Sequence, residues 1–210
     1  MSIDTFSDLM SALQNLFDDS ASLDAARVKD AISMGEALIN RRVRGREMET
    51  SADMTISSRT TALPTGFVQA RRFYLNTDPI VTLGYMPPND FWMRNGVNQT
   101  AQPVFFTIEA GNLVVAPTPS SSITGKMLYY KKSDIASALT TLFSAHPDMY
   151  LYAAGIYAAD FLDDDRRMLK CTGMFEQIVS DYDAADEGDR YGGAPLVTRS
   201  LVSVDDSRRR

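Results

Sequence analysis

The sequence has little of the chemistry on which catalytic and metal sites depend. It contains one histidine, His146, and one cysteine, Cys171, among 210 residues. A single cysteine excludes an intrachain disulfide and a CxxC motif, and a single histidine excludes a histidine-based metal cluster. The phosphate-binding and nucleophile patterns GxxxxGKS/T, GxGxxG and GxSxG are absent. We therefore expect no cofactor, no metal and no enzymatic activity.

Long apolar runs are also missing. No stretch approaches the roughly 20 apolar residues that a membrane-spanning helix needs. The first ten residues, MSIDTFSDLM, lack the basic region and the apolar core of a secretory signal. Together with the single cysteine, these features predict a chain that does not enter membranes and is made in a reducing cytoplasm.

Positive charge is in the minority, with 21 basic against 27 acidic residues and a net charge of −6. Proteins that grip duplex DNA usually carry a basic face, so the balance argues against such a role. It is compatible with a surface along which DNA slides without binding, because like charges repel phosphate. An ordinary cytosolic surface explains the same balance.

Helical periodicity is clear near both ends of the sequence. Apolar residues at 3-then-4 spacing predict an amphipathic helix over 3–17. A second helix is expected to start after Ser22 as N-cap and to end near Arg44, with a basic last turn. Residues 148–162 are apolar around most of the circumference and predict a buried central helix. The last helix, 165–186, has an apolar seven-residue repeat that includes Cys171 and Tyr182.

The middle of the chain predicts strands, because it is rich in β-branched and aromatic residues and is punctuated by Pro, Gly and Asn. We expect strands at 54–57, 67–75, 80–86, 103–109, 112–116 and 125–131. The segment 109–112 is typical of a hairpin turn, and 87–91 of a helical turn begun by proline. Beyond residue 186 periodicity ends, but apolar residues alternating with Ser and Thr can add a strand to a partner or line a groove.

Four features have a catalytic or binding interpretation and a structural one. Packing or capping at a helix start is favoured for His146, and core packing for Cys171. Helix termination and capping are favoured over cation binding for Asp163, Asp164 and Asp165. The basic clusters fit helix-dipole complementation better than partner contacts. The segment Phe91–Trp92 with Arg94 fits an interface or a small core equally well.

Several segments, in this order, resemble the head-to-tail adaptor (connector or gateway) proteins of tailed bacteriophages. They are residues 32–44 and 48–49, LPTGF at 63–67, RRFYL at 71–75, QPVFFTI at 102–108, LVVAPTP at 113–119, MLYY at 127–130, HPDMYLYAA at 146–154 and FLDDDR at 161–166. The resemblance covers about residues 28–187. The helix at 3–17 has no counterpart in these segments, so it is expected to be a local addition.

The resemblance implies an α+β fold that is mainly a helical bundle, with a β-rich insertion between helices and an extended C-terminal tail. The expected divisions are N-terminal helices at 1–49, the β-rich insertion at 50–132, C-terminal helices at 133–187 and a partner-binding tail at 188–210.

The resemblance also implies a virion structural protein at the phage neck. Twelve copies are expected to form a ring beneath the portal protein, to extend the channel through which genomic DNA passes without sequence-specific binding, and to dock the tail, nozzle or stopper protein. The expected portal contacts are Leu196, Val197, Leu201, Val202, Arg208, Arg209 and Arg210. The expected tail-facing or intersubunit residues are Phe91, Trp92, Arg94, Arg71, Arg72, Arg41, Arg42 and Arg44.

Two other functions remain open from the sequence. Another neck or tail-completion protein belongs to the same class, and the helical frame around the insertion favours the adaptor over it. A small DNA-binding regulator belongs to a different class, and it would need a helix-turn-helix and a basic face. Neither feature is evident, and the net charge is −6.

Overall fold

The fold is taken from a computed structural model, which describes residues 2–18, 23–96 and 99–190, with side chains described up to residue 187. The helices are α1 Phe6–Phe17, α2 Ala25–Arg42, α3 Pro88–Arg94, α4 Thr141–Ala145, α5 Pro147–Phe161 and α6 Asp165–Arg190, with a 3-10 turn at Arg46–Met48. The strands are β1 Glu49–Ile56, β2 Thr60–Ala62, β3 Phe67–Leu75, β4 Val81–Thr82, β5 Gly84–Tyr85, β6 Phe105–Glu109, β7 Asn112–Ala116 and β8 Ile123–Lys131.

The helix predicted at 3–17 is confirmed as α1, and its start is set by a capping box. The Thr5 hydroxyl accepts a hydrogen bond from the Asp8 amide at 3.1 Å, and the Asp8 carboxylate accepts one from the Thr5 amide at 3.0 Å. These bonds satisfy two of the backbone donors that a helix start leaves free. Leu9, Leu13 and Phe17 form the buried face of α1.

Helix α2 begins two residues later than a cap at Ser22 would place it. Ser22 lies outside the described residues, and Asp24 is the N-cap, its carboxylate accepting from the Arg27 amide at 2.8 Å. The helix ends at Arg42, and the Arg44 guanidinium donates to the Asn40 carbonyl at 2.7 Å. The basic end of α2 therefore satisfies carbonyls that have no partner within the helix.

Helix α5 is the centre of the helical layer, as the sequence predicts. It packs against α1, α2, α4 and α6. Its contact with α2 is close, because a Cβ at Gly35 would lie only 2.6 Å from the Ala154 backbone nitrogen. Helix α6 follows, with Asp164 accepting from the Arg167 amide at 2.9 Å. The capping interpretation of the acidic triplet is thus confirmed for Asp164.

The strands form two four-stranded sheets in the described part of the chain. The order is β1-β8-β3-β4 in the first sheet and β2-β7-β6-β5 in the second. Phe73 of the first sheet meets Phe106 of the second edge to face, with ring centroids 5.8 Å apart. These rings share one core with buried residues of both sheets. The sheets therefore pack face to face as a sandwich.

The prediction of a mainly helical bundle is wrong, although the α+β class is correct. The strands make a two-sheet unit with a hydrophobic core of its own, separate from the core of the helices. The physical reason is that each sheet buries one face against the other sheet, so the strands do not depend on the helices for burial. The four-part division at 1–49, 50–132, 133–187 and 188–210 stays a prediction.

One predicted strand, 80–86, is two strands in different sheets. The Leu83 amide donates to the Phe73 carbonyl at 2.9 Å in the first sheet, and the next amide, of Gly84, donates to the Val104 carbonyl at 2.9 Å in the second. The chain therefore crosses between sheets at Leu83, whose side chain is buried in the sandwich core. The predicted hairpin at 109–112 is confirmed, since Glu109 pairs with Asn112.

Candidate functional site

The short helix α3 presents the most distinctive surface of the sandwich. Phe91 is fully buried and packs with Val114 and Ala116 on the outer face of the second sheet. Its neighbour Trp92 is 43% exposed, and Met93 is 86% exposed. Consecutive helix residues point in different directions, so one aromatic anchors the helix and the other faces outward. The small-core interpretation is therefore confirmed for Phe91, whereas Trp92 is partly exposed and its interface interpretation stays a prediction.

Trp92 is held on two sides by polar partners. Its indole nitrogen donates to a Glu109 carboxylate oxygen at 3.0 Å. The Arg59 guanidinium carbon lies 4.8 Å from the Trp92 ring centroid, and Arg59 also donates to the Gly96 carbonyl at 3.0 Å. A cation over an indole face is a favourable contact. These two contacts fix the orientation of the Trp92 ring on the surface.

We call Arg59, Trp92, Met93, Arg94 and Glu109 the α3 surface. It joins an exposed aromatic, an exposed Met and charges of both signs. Aromatic residues, Met and Arg are enriched in protein interfaces. Sequence reasoning missed Arg59 and Glu109, since they lie at least 15 residues away from α3 along the chain and only the tertiary fold brings them there. The α3 surface is suited to binding a protein partner.

The paired arginines of β3 differ in their contacts. Arg71 forms an ion pair with Glu49 on β1, and its guanidinium carbon lies 5.6 Å from the Tyr130 ring centroid. Arg72 is exposed and has no carboxylate partner among the described residues. A β-bulge between Ala70 and Arg72 interrupts the pairing with β8. Arg72 therefore remains available to an acidic partner.

The α2 arginines lie in the helical layer, apart from α3 and β3. Arg42 pairs with Glu176 on α6 at 2.5 Å, with both side chains about half exposed. Exposed pairs of this kind contribute about 0–1 kcal/mol to stability. Arg44 binds main-chain carbonyls, while Arg41 is exposed. The structure thus places the expected tail-facing residues on three different elements, and it does not bring them into one site.

A second group of residues joins the helices to the sheets. The Asn40 side chain donates to the Ser133 carbonyl at 3.0 Å and accepts from the Ser133 amide at 2.7 Å. The Ser133 hydroxyl lies 2.6 Å from the Tyr150 hydroxyl, and Glu36 accepts from the Ile135 amide at 2.8 Å. Burial raises the pKa of the Glu36 carboxyl above its ordinary value. This network fixes the chain where it leaves β8.

The other junction lies where α2 leads into β1. The Tyr182 hydroxyl of α6 donates to the Glu47 carboxylate, and the Asp186 carboxylate accepts from the Arg46 amide at 3.1 Å. His146 packs edge-on against Tyr182, with ring centroids 5.0 Å apart. The packing interpretation of His146 is therefore confirmed. Sequence patterns did not reveal this junction, because Arg46 and Glu47 are more than 130 residues away from Asp186 and Tyr182 along the chain.

Potential catalytic groups are poorly placed for chemistry. Cys171 is buried, and burial raises the pKa of its thiol, which disfavours the nucleophilic thiolate. The core interpretation of Cys171 is confirmed. Within residues 2–18, 23–96 and 99–187, no three His, Cys, Asp or Glu side chains are grouped so as to hold a metal ion. In the same ranges no helix is both long and apolar enough to cross a membrane.

The family model described as SU10 adaptor protein matches residues 4–199. The chain belongs to the SU10 adaptor protein family. This is a phage head-to-tail adaptor family, so the resemblance seen in the sequence segments is confirmed. No curated protein matches the chain.

Family membership decides between the classes that the sequence left open. The SU10 adaptor protein family is a family of structural adaptors and not an enzyme family. The family implies a virion structural role at the neck and interaction with portal and tail components of the phage. The match begins at residue 4, so it includes α1, and the expectation that this helix is a local addition is wrong.

The C-terminal residues expected to contact the portal lie outside the described residues. They are Leu196, Val197, Leu201, Val202, Arg208, Arg209 and Arg210. The family match extends through Leu196 and Val197 and ends before Leu201.

Proposed function

We propose that this SU10 adaptor protein assembles as a ring of twelve copies beneath the portal, where it extends the DNA channel and docks the tail or nozzle. The observation that carries the proposal is the family match over residues 4–199. The two joined layers of the fold support it, because a ring component has to present separate surfaces to the portal, to the tail and to its neighbours.

Ring formation requires head-to-tail contacts between copies, and such contacts close when the rotation from one copy to the next fits. Rigid subunits favour closure of the ring, because every copy is then related to its neighbour by the same rotation. The junctions Asn40–Ser133 and Tyr182–Glu47 support rigidity here, since they hold the helices on the sheets with directional hydrogen bonds. The net charge of −6 suits a channel that lets DNA pass without sequence-specific binding.

The portal contact is assigned to the tail that follows α6. Its proposed contacts are Leu196, Val197, Leu201, Val202, Arg208, Arg209 and Arg210. An extended segment with alternating apolar residues can add a strand to a partner or fill a groove, and it pays its ordering entropy on docking.

The tail-facing or intersubunit contact is assigned mainly to the α3 surface. Trp92 is exposed, already oriented by Glu109 and Arg59, and bordered by Met93 and Arg94. Phe91 supports this surface from below. Arg71, Arg72, Arg41, Arg42 and Arg44 are proposed as additional contacts on other elements. Among these, Arg72 and Arg41 are exposed and have no carboxylate partner in the described part of the chain.

The test is a binding assay with the portal protein of the same phage, followed by negative-stain imaging of the complex. We expect the full chain to form a ring on the tail-side end of the portal. A chain ending at Arg190 retains every described core residue, so it should fold. It should no longer bind the portal protein. Trp92→Ala should still bind the portal protein but should no longer bind the tail-side component.

If the shortened chain still binds the portal, only the assignment of portal contacts to the C-terminal segment is overturned. Failure of the full chain to bind portals or assembled heads would overturn the adaptor role proposed here.

A further inference from the structure

A groove of about 520 Å³ lies between the two sheets on the side where the chain crosses from one to the other. Six consecutive residues of β3, 67–72, line one wall. Side chains alternate between the faces of a strand, so a wall made of consecutive residues is the edge of the strand and not one of its faces. Phe106 and Ile108 of β6 line the opposite wall, and Leu83 lies in the crossing segment.

Both walls expose main-chain groups that no described strand covers. The neighbour of β3 on this side is β4, which pairs with β3 only at Tyr74 and Leu75. The neighbour of β6 is β5, which pairs only with Phe105 and Phe106. Within the described residues, the edges at 67–72 and 107–109 therefore lack a strand partner. Unpaired edges beside an apolar groove are the geometry that accepts an added strand.

The charge at the groove favours an acidic strand. Arg71 and Arg72 both line the wall formed by β3. Arg71 is already paired with Glu49, whereas Arg72 has no carboxylate partner in the described part of the chain. An occupant with alternating apolar residues for the floor and a carboxylate for Arg72 would satisfy both features.

The sequence of this chain contains such a segment after α6. Residues 200–206 read SLVSVDD, with Val202 and Val204 two residues apart and Asp205 and Asp206 directly after them. In an extended conformation Val202 and Val204 share one face. The acidic pair then lies at one end of the strand, where it can meet Arg72.

The distance from α6 to the groove is short enough for this segment. Asp186 of α6 binds the Arg46 amide, and Arg46 lies three residues before Glu49, at most about 10 Å away. Glu49 and Gln69 both pair with Tyr130, so the groove edge lies two strand spacings further, about 10 Å. Residues 191–200 span up to about 33 Å when extended. The segment therefore reaches the groove of its own chain.

We propose that residues 200–206 add to the groove between β3 and β6 of the same chain as an extended strand, with the acidic pair at Arg72. The proposal concerns the protein without portal and does not depend on portal docking. Leu201 and Val202 are also proposed portal contacts, so they cannot occupy the groove and the portal at once.

The experiment measures amide hydrogen exchange of residues 67–72 and 107–109 in full-length protein without portal. We expect slow exchange in the wild type and exchange at least about tenfold faster in Val204→Asp and in Arg72→Glu. The matched controls are Leu169→Asp, which places the same charge at an exposed apolar position on α6, and Arg94→Glu on α3. Both controls should exchange like the wild type.

A charge exchange separates a specific contact from a folding defect. Adding Asp205→Arg and Asp206→Arg to Arg72→Glu should restore slow exchange, because the opposite charges again face each other. Fast exchange of both edges in the wild type, or protection unchanged by Val204→Asp, overturns the proposal. Protection that rises with protein concentration also overturns it, because it would place the segment on a second copy.

The outcome is independent of the adaptor role, since Val204, Asp205, Asp206 and Leu169 are not among the proposed portal contacts. Val204→Asp should lose groove protection and still bind the portal, whereas Arg72→Glu also removes a proposed tail-facing or intersubunit contact. Loss of portal binding with the groove protection intact would count against the proposed function alone.

Discussion

The Tyr182 hydroxyl reaches over Gly45 to donate a hydrogen bond to the Glu47 carboxylate. A Cβ at Gly45 would lie 1.5 Å from the Tyr182 hydroxyl oxygen, so glycine is required for this contact. The bond ties the end of α6 to the turn between α2 and β1.

Gly45→Ala should destabilise the protein by about 2 kcal/mol or more, because Tyr182 would have to leave its place. The measurement is the free energy of unfolding in urea. Gly173→Ala is the matched control, since nothing lies within 4 Å of a Cβ there. In the interior of α6 this control should stabilise by up to about 1 kcal/mol. Equal effects at the two glycines would contradict the contact.

Two carboxyl groups at the junctions should give opposite pH dependences. Burial raises the pKa of Glu36 above its ordinary 4.5. Burial is the largest influence on Glu47 and acts to raise its pKa, but the hydrogen bond from Tyr182, a main-chain hydrogen bond and nearby positive charge together outweigh burial and leave that pKa below 4.5. An ionised Glu36 therefore costs stability as pH rises from 4.5 through its folded pKa. An ionised Glu47 contributes stability above 4.5 that is lost as pH falls through its folded pKa.

The substitutions Glu36→Gln and Glu47→Gln test these signs by urea unfolding over a series of pH values. Glu36→Gln should gain stability relative to wild type as pH rises toward neutral, since the amide oxygen can still accept from Ile135. The free energy of unfolding of Glu47→Gln should fall furthest below that of wild type at neutral pH, and the two values should converge at acidic pH. If the stability difference from wild type changed with pH in the same direction for both variants, the opposite pKa shifts of Glu36 and Glu47 would be ruled out.

Substitutions at Phe91 and Trp92 should have different effects, the first mainly on stability and the second mainly on tail-side binding. Phe91→Ala removes a fully buried ring and should cost about 3–5 kcal/mol. Trp92→Ala removes a half-exposed ring with one hydrogen bond and one cation contact, and should cost about 1 kcal/mol. Urea unfolding gives both values, and a tail-side binding assay should fail for folded Trp92→Ala. Normal tail-side binding by that variant would remove the α3 surface from the interface.

The β6–β7 hairpin offers a local test. Ala110 and Gly111 have φ of 47° and 76°, so both turn residues are left-handed. Ala110→Asn should stabilise by up to about 1 kcal/mol, because Asn tolerates this conformation better than Ala. Gly111→Ala should destabilise by about 1 kcal/mol, although no atom lies within 4 Å of its added Cβ. Thermal unfolding of the two variants should shift in opposite directions.

The sequence alone determined the local elements of this protein. Helices α1, α5 and α6 follow from apolar spacing, and the hairpin at 109–112 follows from turn residues between β-branched runs. The ordered segments also led to the correct adaptor family. These features depend on neighbours within a few positions, so periodicity and turn chemistry are sufficient to predict them.

Only the tertiary structure decided that the strands form a sandwich with its own core, that the chain changes sheets at Leu83, and that Tyr182 meets Glu47. It also decided which of two adjacent aromatics faces outward, with Phe91 in the core and Trp92 on the surface. The reason is that burial and strand pairing are long-range. An apolar strand face has the same pattern whether a helix or another sheet covers it, and only the folded chain selects the partner.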